Sequence, residues 1–261
     1  IPPPLALILK TDSMKDILDG AKQLLRESTE IIDEAVSDII FVGGWGPYIR
    51  HTDRHPGTRD VDLLFPVKYS KSDMEEILNR FLKYGYFISA KHDFQLCRAI
   101  QLGSQTYIYN VDLLHPTEGK MNKVDFVEIM DLDVTDGIRV KPILSINIQY
   151  GSEIYSNELY ESVTFDGNTF NVLDGAGIII SKLNSAHNKK RLRDIFDIYL
   201  SLEEKGSLEK LLQLGSCNPT VQRNIEDFNQ KVSDNWEFYE GSLKKFGIEN
   251  PIQKHLMLEM K

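Results

Sequence analysis

Cysteine is nearly absent from this chain of 261 residues: Cys97 and Cys217 stand alone, with no CxxC pair and no zinc-ligand spacing. That excludes a disulfide framework and fits two small core residues in a reducing compartment. Long apolar runs are missing too. "PLALIL" near the start is far shorter than the roughly 18 residues that suggest a membrane span, so a soluble, cytoplasmic protein with no membrane partner is expected. Positive charge is in deficit, with 30 Lys and Arg against 39 Asp and Glu and a net charge of −9. A surface basic all over, as general nucleic-acid binders have, is thereby excluded, while a local basic patch is not. The chain opens at Ile1, and "IPPP" carries no functional weight.

Three familiar motifs are also lacking. No GK[ST] ending closes a phosphate loop. After Gly44 and Gly46 the third glycine of a dinucleotide fingerprint is replaced by Ile49, so a nicotinamide site is disfavoured. His51 and His55 have a chelating spacing but no HExxH glutamate, and Pro56-Gly57 makes that stretch read as an unspecific loop.

What is present is ordinary globular composition, 41% apolar and 26% charged, in an α+β pattern. Ile17, Leu18, Ala21, Leu24 and Leu25 fall at helical spacing from Ser13 to about Ser37. "DIIFVGG" and "DVDLLFP" read as strands, and "SKSDMEEILNRFLKYGY" as a helix stopped at Gly85. Period-two patterns on either side of "GSQ", and again around Asp166-Gly167-Asn168, predict hairpins. "KVDFVEIM" and "ILSINIQY" are possible further strands. From Asp174 the chain reads as helical to its end. The expected organisation is therefore a mixed-sheet domain over 1–173 and a helical bundle over 174–261.

Chemistry concentrates in "FVGGWGPYIRHTDRHPGTRDVDLLF". Residues i and i+2 of a strand face the same way, so Asp60 and Asp62 project together while Val61 and Leu63 pack behind them. Paired carboxylates need compensating cations, and a divalent metal supplies that charge compactly. In "TYIYNVDLLH", Asp112 faces away from Tyr107, Tyr109, Val111 and Leu113, where a neighbouring strand can bring it beside the pair; Asp125 in "KVDFVEI" competes as third carboxylate. Convergent carboxylates suit Mg²⁺ and phosphoryl transfer, and Gly43-Gly44 after a strand can expose backbone N–H groups to phosphates. The bland alternatives are an exposed strand start and a tight turn. "KLNSAHNKKRLRD", Lys182 to Asp194, holds five Lys or Arg, Lys182 included, a local patch for phosphates or simply a solvated face. Asp194 and Asp197 lie one helical turn apart, where surface pairing with Lys190 and Arg193 is the plain expectation.

The glycine pair, the gap of sixteen residues from Gly44 to Asp60, "TRDVDLLF", the later "VDLL" and "KLNSAHNKKRLRDIFDIYL" together resemble the nucleotidyltransferase superfamily, specifically the AbiEii/AbiGii toxin-like branch of toxin–antitoxin and abortive-infection systems. The resemblance runs from about Ile39 to Leu202. It implies a nucleotidyltransferase fold followed by a helical bundle, with an NTP bound between them. It also implies Mg²⁺ on Asp60, Asp62 and Asp112, and a catalytic part for Asp194 in or beside the site. Gly43, Gly44, Thr58, Arg59, Lys182, Arg191 and Arg193 become nucleotide contacts on the same grounds. Lys182→Ala is then expected to weaken NTP binding without unfolding the protein. A tRNA 3′ end, a protein or a small molecule would accept the NMP, and an antitoxin would be the partner. Trp45-Gly46-Pro47 departs from the small and aliphatic residues usual after the glycines. The alternatives are an antibiotic-type small-molecule nucleotidyltransferase and a catalytically silent nucleotide-binding or partner-binding module.

Overall fold

A computed structural model describes residues 8–10, 16–33, 38–66, 71–116, 124–126, 141–143 and 145–259. Its elements run β1 (Ile8–Lys10), α1 (Ile17–Asp33), β2 (Ile40–Val42), α2 (Trp45–Arg50), β3 (Val61–Leu64), α3 (Lys71–Lys83), β4 (Phe87–Ile88), β5 (Gln95–Leu102), β6 (Gln105–Pro116), β7 (Val124–Phe126), β8 (Lys141–Ile143), β9 (Ile146–Ile148), α4 (Gly151–Ser156), β10 (Tyr160–Phe165) and β11 (Asn168–Leu173). Six helices follow: α5 (Gly175–Lys182), α6 (Leu192–Glu203), α7 (Ser207–Cys217), α8 (Pro219–Asp234), α9 (Trp236–Lys245) and α10 (Gln253–Leu256). The chain forms two compact units, one from Ile1–Gly43, Gly57–Ser152 and Ser162–Val172, the other from Gly44–Pro56, Glu153–Glu161 and Leu173–Lys261.

The first unit is built on a mixed sheet in the order β1-β5-β6-β3-β2-β11-β10, with β4 beside β5 and β9 beside β6. β3 runs parallel to β6 and antiparallel to β2, which makes it a central strand. The alternation read from the sequence is the one that packs: Val61, Leu63, Val111, Leu113 and Tyr109 are buried together behind the sheet. Tyr109 marks which way this face looks, because its hydroxyl donates to the Ile17 carbonyl of α1 at 2.9 Å. α1 presents Ala21, Leu24, Leu25, Ile31 and Ile32, all buried at helical spacing, and packs against β3, β5 and β6. Burying a Leu or Ile side chain of this kind contributes about 1.5–3 kcal/mol. Glu27 of α1 enters the same layer with its charge met by Arg98, Nε to Oε2 at 3.0 Å.

Both predicted hairpins form, one turning at Gly103 between β5 and β6, the other at Asp166-Gly167 between β10 and β11. Among the described residues β7 and β8 pair with each other, Asp125 opposite Pro142, in a second, two-stranded sheet. The rest of "KVDFVEIM" lies outside the described residues, as do Ser13 and Ser37 at the ends of the predicted first helix.

The second unit is mostly helical. α5 starts at Asp174, whose side chain accepts the Gly177 N–H at 2.8 Å as an N-cap. α8 opens likewise on Asn218, with Pro219 at its first position. The helical run predicted from Pro219 to about Phe246 breaks at Asn235 into α8 and α9. Ile179, Ile195, Ile198, Leu211, Val221, Phe228 and Leu243 make up its core. Trp45-Gly46-Pro47 forms the first turn of α2, with Trp45 fully buried and edge-on to Tyr48, so the tryptophan is core of this unit.

Candidate functional site

The paired aspartates lie on the face of the sheet opposite α1. Parallel pairing of β3 with β6 sets Val61 against Val111 and Asp62 against Asp112, so the two aspartates share that face. Asp125 is on the separate β7–β8 ribbon, and the register gives Asp112 the place beside Asp62. Asp60 precedes β3 and is exposed, whereas Asp62 and Asp112 are half-buried.

Gly43 ends β2 next to them. Its φ of +73° lies in the left-handed region that side chains other than glycine's avoid. A Cβ there would sit 2.1 Å from Asp62 Oδ2, so backbone and carboxylate approach as only glycine permits. Glycine motif and aspartate motif, seventeen residues apart from Gly43 to Asp60, are thus in contact through Gly43 and Asp62.

Amides reach two of the carboxylates. Gln95 of β5 lies opposite Asp112 and donates from Nε2 to Asp112 Oδ1 at 2.8 Å. Asn110 donates from Nδ2 to Asp60 Oδ1 at 3.4 Å, and the Cys97 thiol donates to Asn110 Oδ1 at 3.6 Å. Burial pushes the Asp112 carboxyl above the usual carboxylate range; Gln95 works against this and the nearby Asp60 charge works with it. Burial likewise pushes the Cys97 thiol up to about 12, which makes it an inert packing group. Neither Gln95 nor Asn110 stands out in the sequence, since polar residues alternating along a hairpin read as a solvated face.

Whether this set suits a divalent cation turns on its donors. Carboxylate oxygens are the ligands Mg²⁺ takes, and one or two of them complete a site together with substrate phosphates. Asp62 and Asp112 in register fit that pattern. Among the described residues, no group of three or more His, Cys, Asp or Glu is arranged to hold a metal ion by itself. Thr58 is buried. Arg59 is exposed, and its charge acts on the Tyr109 phenol, on the face turned toward α1.

The basic stretch of the second unit has a different arrangement. Lys182 is buried, with Nζ 2.9 Å from Asp194 Oδ1 and 2.9 Å from Asp197 Oδ2. Ser185 donates to the other oxygen of Asp194 at 2.6 Å. His55 Nε2 lies 2.9 Å from Asp197 Oδ1, with both side chains fully buried and the imidazole stacked on Phe196. Burial alone would lower the Lys182 pKa, but the two carboxylates outweigh it and hold the ammonium charged. Burial would raise Asp197, and Lys182 together with His55 reverses that and holds it ionised.

Asp194 and Asp197 therefore belong to an internal network with Lys182, and surface pairing with Lys190 and Arg193 gives way to it. The reason is helical: Asp194, Asp197 and the apolar Ile195 and Ile198 all lie on the buried side of α6. Lys189, Lys190 and Arg191 are exposed ahead of α6, and Arg193 is half-buried. His55, set aside in the sequence as unspecific, is a member of this network. Its only sequence signal is a histidine that no surface role requires.

No protein-family model matches the chain, and no curated protein matches its sequence. Among solved structures it is similar to an antigenic nucleotidyltransferase-like protein from Paracoccidioides brasiliensis, at 14% identity and TM-score 0.38 over 79% of this chain and 92% of that one. It is similar to a candidate nucleotidyltransferase from H. pylori, at 11% identity and TM-score 0.48 over 94% and 92%. It is similar as well to the antibiotic-resistance factor ANT(2'')-Ia, at 12% identity and TM-score 0.39 over 84% and 96%. These neighbours are nucleotidyltransferase-like proteins, and at such TM-scores the assignment of the site rests on its own residues.

Proposed function

We propose that the chain is a nucleotidyltransferase that takes an NTP and transfers its NMP to an acceptor hydroxyl. The observation that carries this reading is the contact of Gly43 with Asp62, because it joins a phosphate-approach turn to a carboxylate set completed by Asp112. Asp62 and Asp112, with Asp60 beside them, would hold Mg²⁺, which neutralises charge on the phosphates when bound. Gly43 lets the backbone approach the phosphates without a Cβ in the way, and Gly44 continues that turn. In the transfer, the acceptor oxygen forms a bond to the α-phosphorus, the bond from that phosphorus to the bridging oxygen breaks, and pyrophosphate leaves. The hydroxyl proton passes to one of the carboxylates of this face.

The reading rests on the first unit. Lys182 already has two carboxylates, which match its charge within the second unit. Arg191 and Arg193 remain proposed phosphate contacts on the resemblance alone. The same resemblance favours a tRNA 3′ end or a protein as acceptor and an antitoxin as partner.

Incubation with each α-labelled NTP and a cell extract tests the reading, since a labelled acceptor identifies both the base and the acceptor class. The double variant Asp60→Ala, Asp62→Ala is expected to abolish labelling, and labelling at the wild-type level would remove the site.

A further inference from the structure

The carboxylate face raises a narrower question: what holds Asp112 toward Asp62. A half-buried aspartate on a strand has several side-chain conformations open to it, and an aspartate that serves as a ligand must be kept in one of them. We infer that Gln95 is the positioning residue that fixes Asp112 for a divalent cation, an assignment that rests on the nucleotidyl-transfer reading above.

Three features support it. The Gln95 amide donates to one oxygen only, Oδ1, at 2.8 Å, which sets the plane of the carboxylate and leaves Oδ2 for another partner. The donor is neutral, so it orients Asp112 without cancelling the charge a cation would use, as an ammonium there would. Gln95 is itself anchored: its carbonyl accepts the Ser89 N–H at 3.0 Å and its N–H donates to the His92 carbonyl at 3.3 Å, while the next-door Phe94 carbonyl accepts the Leu113 N–H at 2.8 Å. The Phe94–Leu113 bond on one side of the contact and the pairing of Leu96 with Val111 on the other join the strand carrying the orienting amide to the strand carrying the oriented acid.

The test is direct binding of Mn²⁺, a stand-in for Mg²⁺ visible by electron paramagnetic resonance, to the full chain with a non-hydrolysable NTP. Wild type is compared with Asp62→Asn, Asp112→Asn, Gln95→Met and the double variant Gln95→Met, Asp112→Asn. Gln95→Met keeps the shape and removes the donor, and it should weaken Mn²⁺ binding about 10-fold or more at an unchanged melting temperature. The double variant should bind as Asp112→Asn alone, because a residue acting through Asp112 has nothing left to act on. Gln95→Asn, which keeps the amide but withdraws it by one methylene, should lose affinity like the methionine and covers the case in which the latter fails to fold. Wild-type affinity in Gln95→Met or Gln95→Asn, or an additive loss in the double variant, overturns the role of Gln95 alone. A wild-type protein that binds no Mn²⁺, or Asp62→Asn that binds it equally well, overturns the underlying reading as well.

Discussion

Each unit of this protein places aspartates one step apart in its own periodicity, i and i+2 at the start of β3, i and i+3 on α6, and the two sets meet burial in different ways. Asp194 and Asp197 are almost wholly inside, with an ammonium 2.9 Å from each, and a histidine on Asp197. Charge enters that interior only with its counter-charge. Asp112 on the sheet is half-buried and is met by the amide of Gln95, which orients it and leaves its charge in place. A carboxylate whose charge is matched inside the protein serves stability, whereas one that is held but not neutralised can serve a ligand. The contrast explains why a single lysine-to-aspartate motif and a single aspartate pair, equally prominent in sequence, receive different roles.

The comparison breaks most visibly at Lys182. Lys182→Met leaves two carboxylates buried without their cation and should destabilise the protein by about 3–5 kcal/mol in denaturant unfolding. This reverses the sequence-based expectation that removing Lys182 leaves the fold intact. A loss under about 1 kcal/mol would show that the network is not the buried ion pair described.

A smaller effect on stability, and a complete one on activity, is expected at Gly43. Gly43→Ala forces a side chain into the left-handed region at a cost of about 1–2 kcal/mol, and drives its Cβ into Asp62. Labelling of an acceptor should vanish while circular dichroism shows a folded protein. Full activity would separate the glycine turn from the carboxylates.

The smallest effect sharpens the contrast by its sign. The Asp112 pKa is raised in the fold, so its contribution is present below the ordinary carboxylate pKa of about 4 and is lost as pH rises through the raised value. Asp197 is lowered, so its contribution is present above that range and is lost as pH falls through its folded value. In metal-free protein Asp112→Asn should therefore melt higher than wild type near neutrality, with the gap closing in acid. Parallel melting curves across pH would place Asp112 in a solvated setting.

Much of the architecture was legible because it follows from local chemistry. The stripe of Ala21, Leu24 and Leu25 needs a surface to cover, and the turns at Gly103 and Asp166-Gly167 accept the positive φ that a hairpin requires. The second unit was less legible as a contiguous stretch: residues 44–56 and 153–161 pack with the carboxy-terminal helices, and no composition shift marks such returns of the chain. At the candidate site, the side-chain alternation of Asp60 with Asp62 was readable, but strand pairing was not. Asp112 and Asp125 are equally good acids on equally strand-like segments, and hydrogen bonding between β3 and β6 separates them. Gln95 and Asn110 gave no signal because an orienting amide differs from a solvated one only in what lies across the strand.

By itself the sequence determined the periodicities, the turns, the shared direction of Asp60 and Asp62, and the need for glycine near a strand end, since each depends on residues close together along the chain. Tertiary structure alone decided that Gly43 abuts Asp62, that Asp112 stands beside it with Gln95 on its Oδ1, and that Lys182 is matched by Asp194 and Asp197, with His55 on Asp197. Those pairings join residues 12 to 142 positions apart, and only the packing that buries their apolar neighbours brings them together, where charge and burial can be balanced.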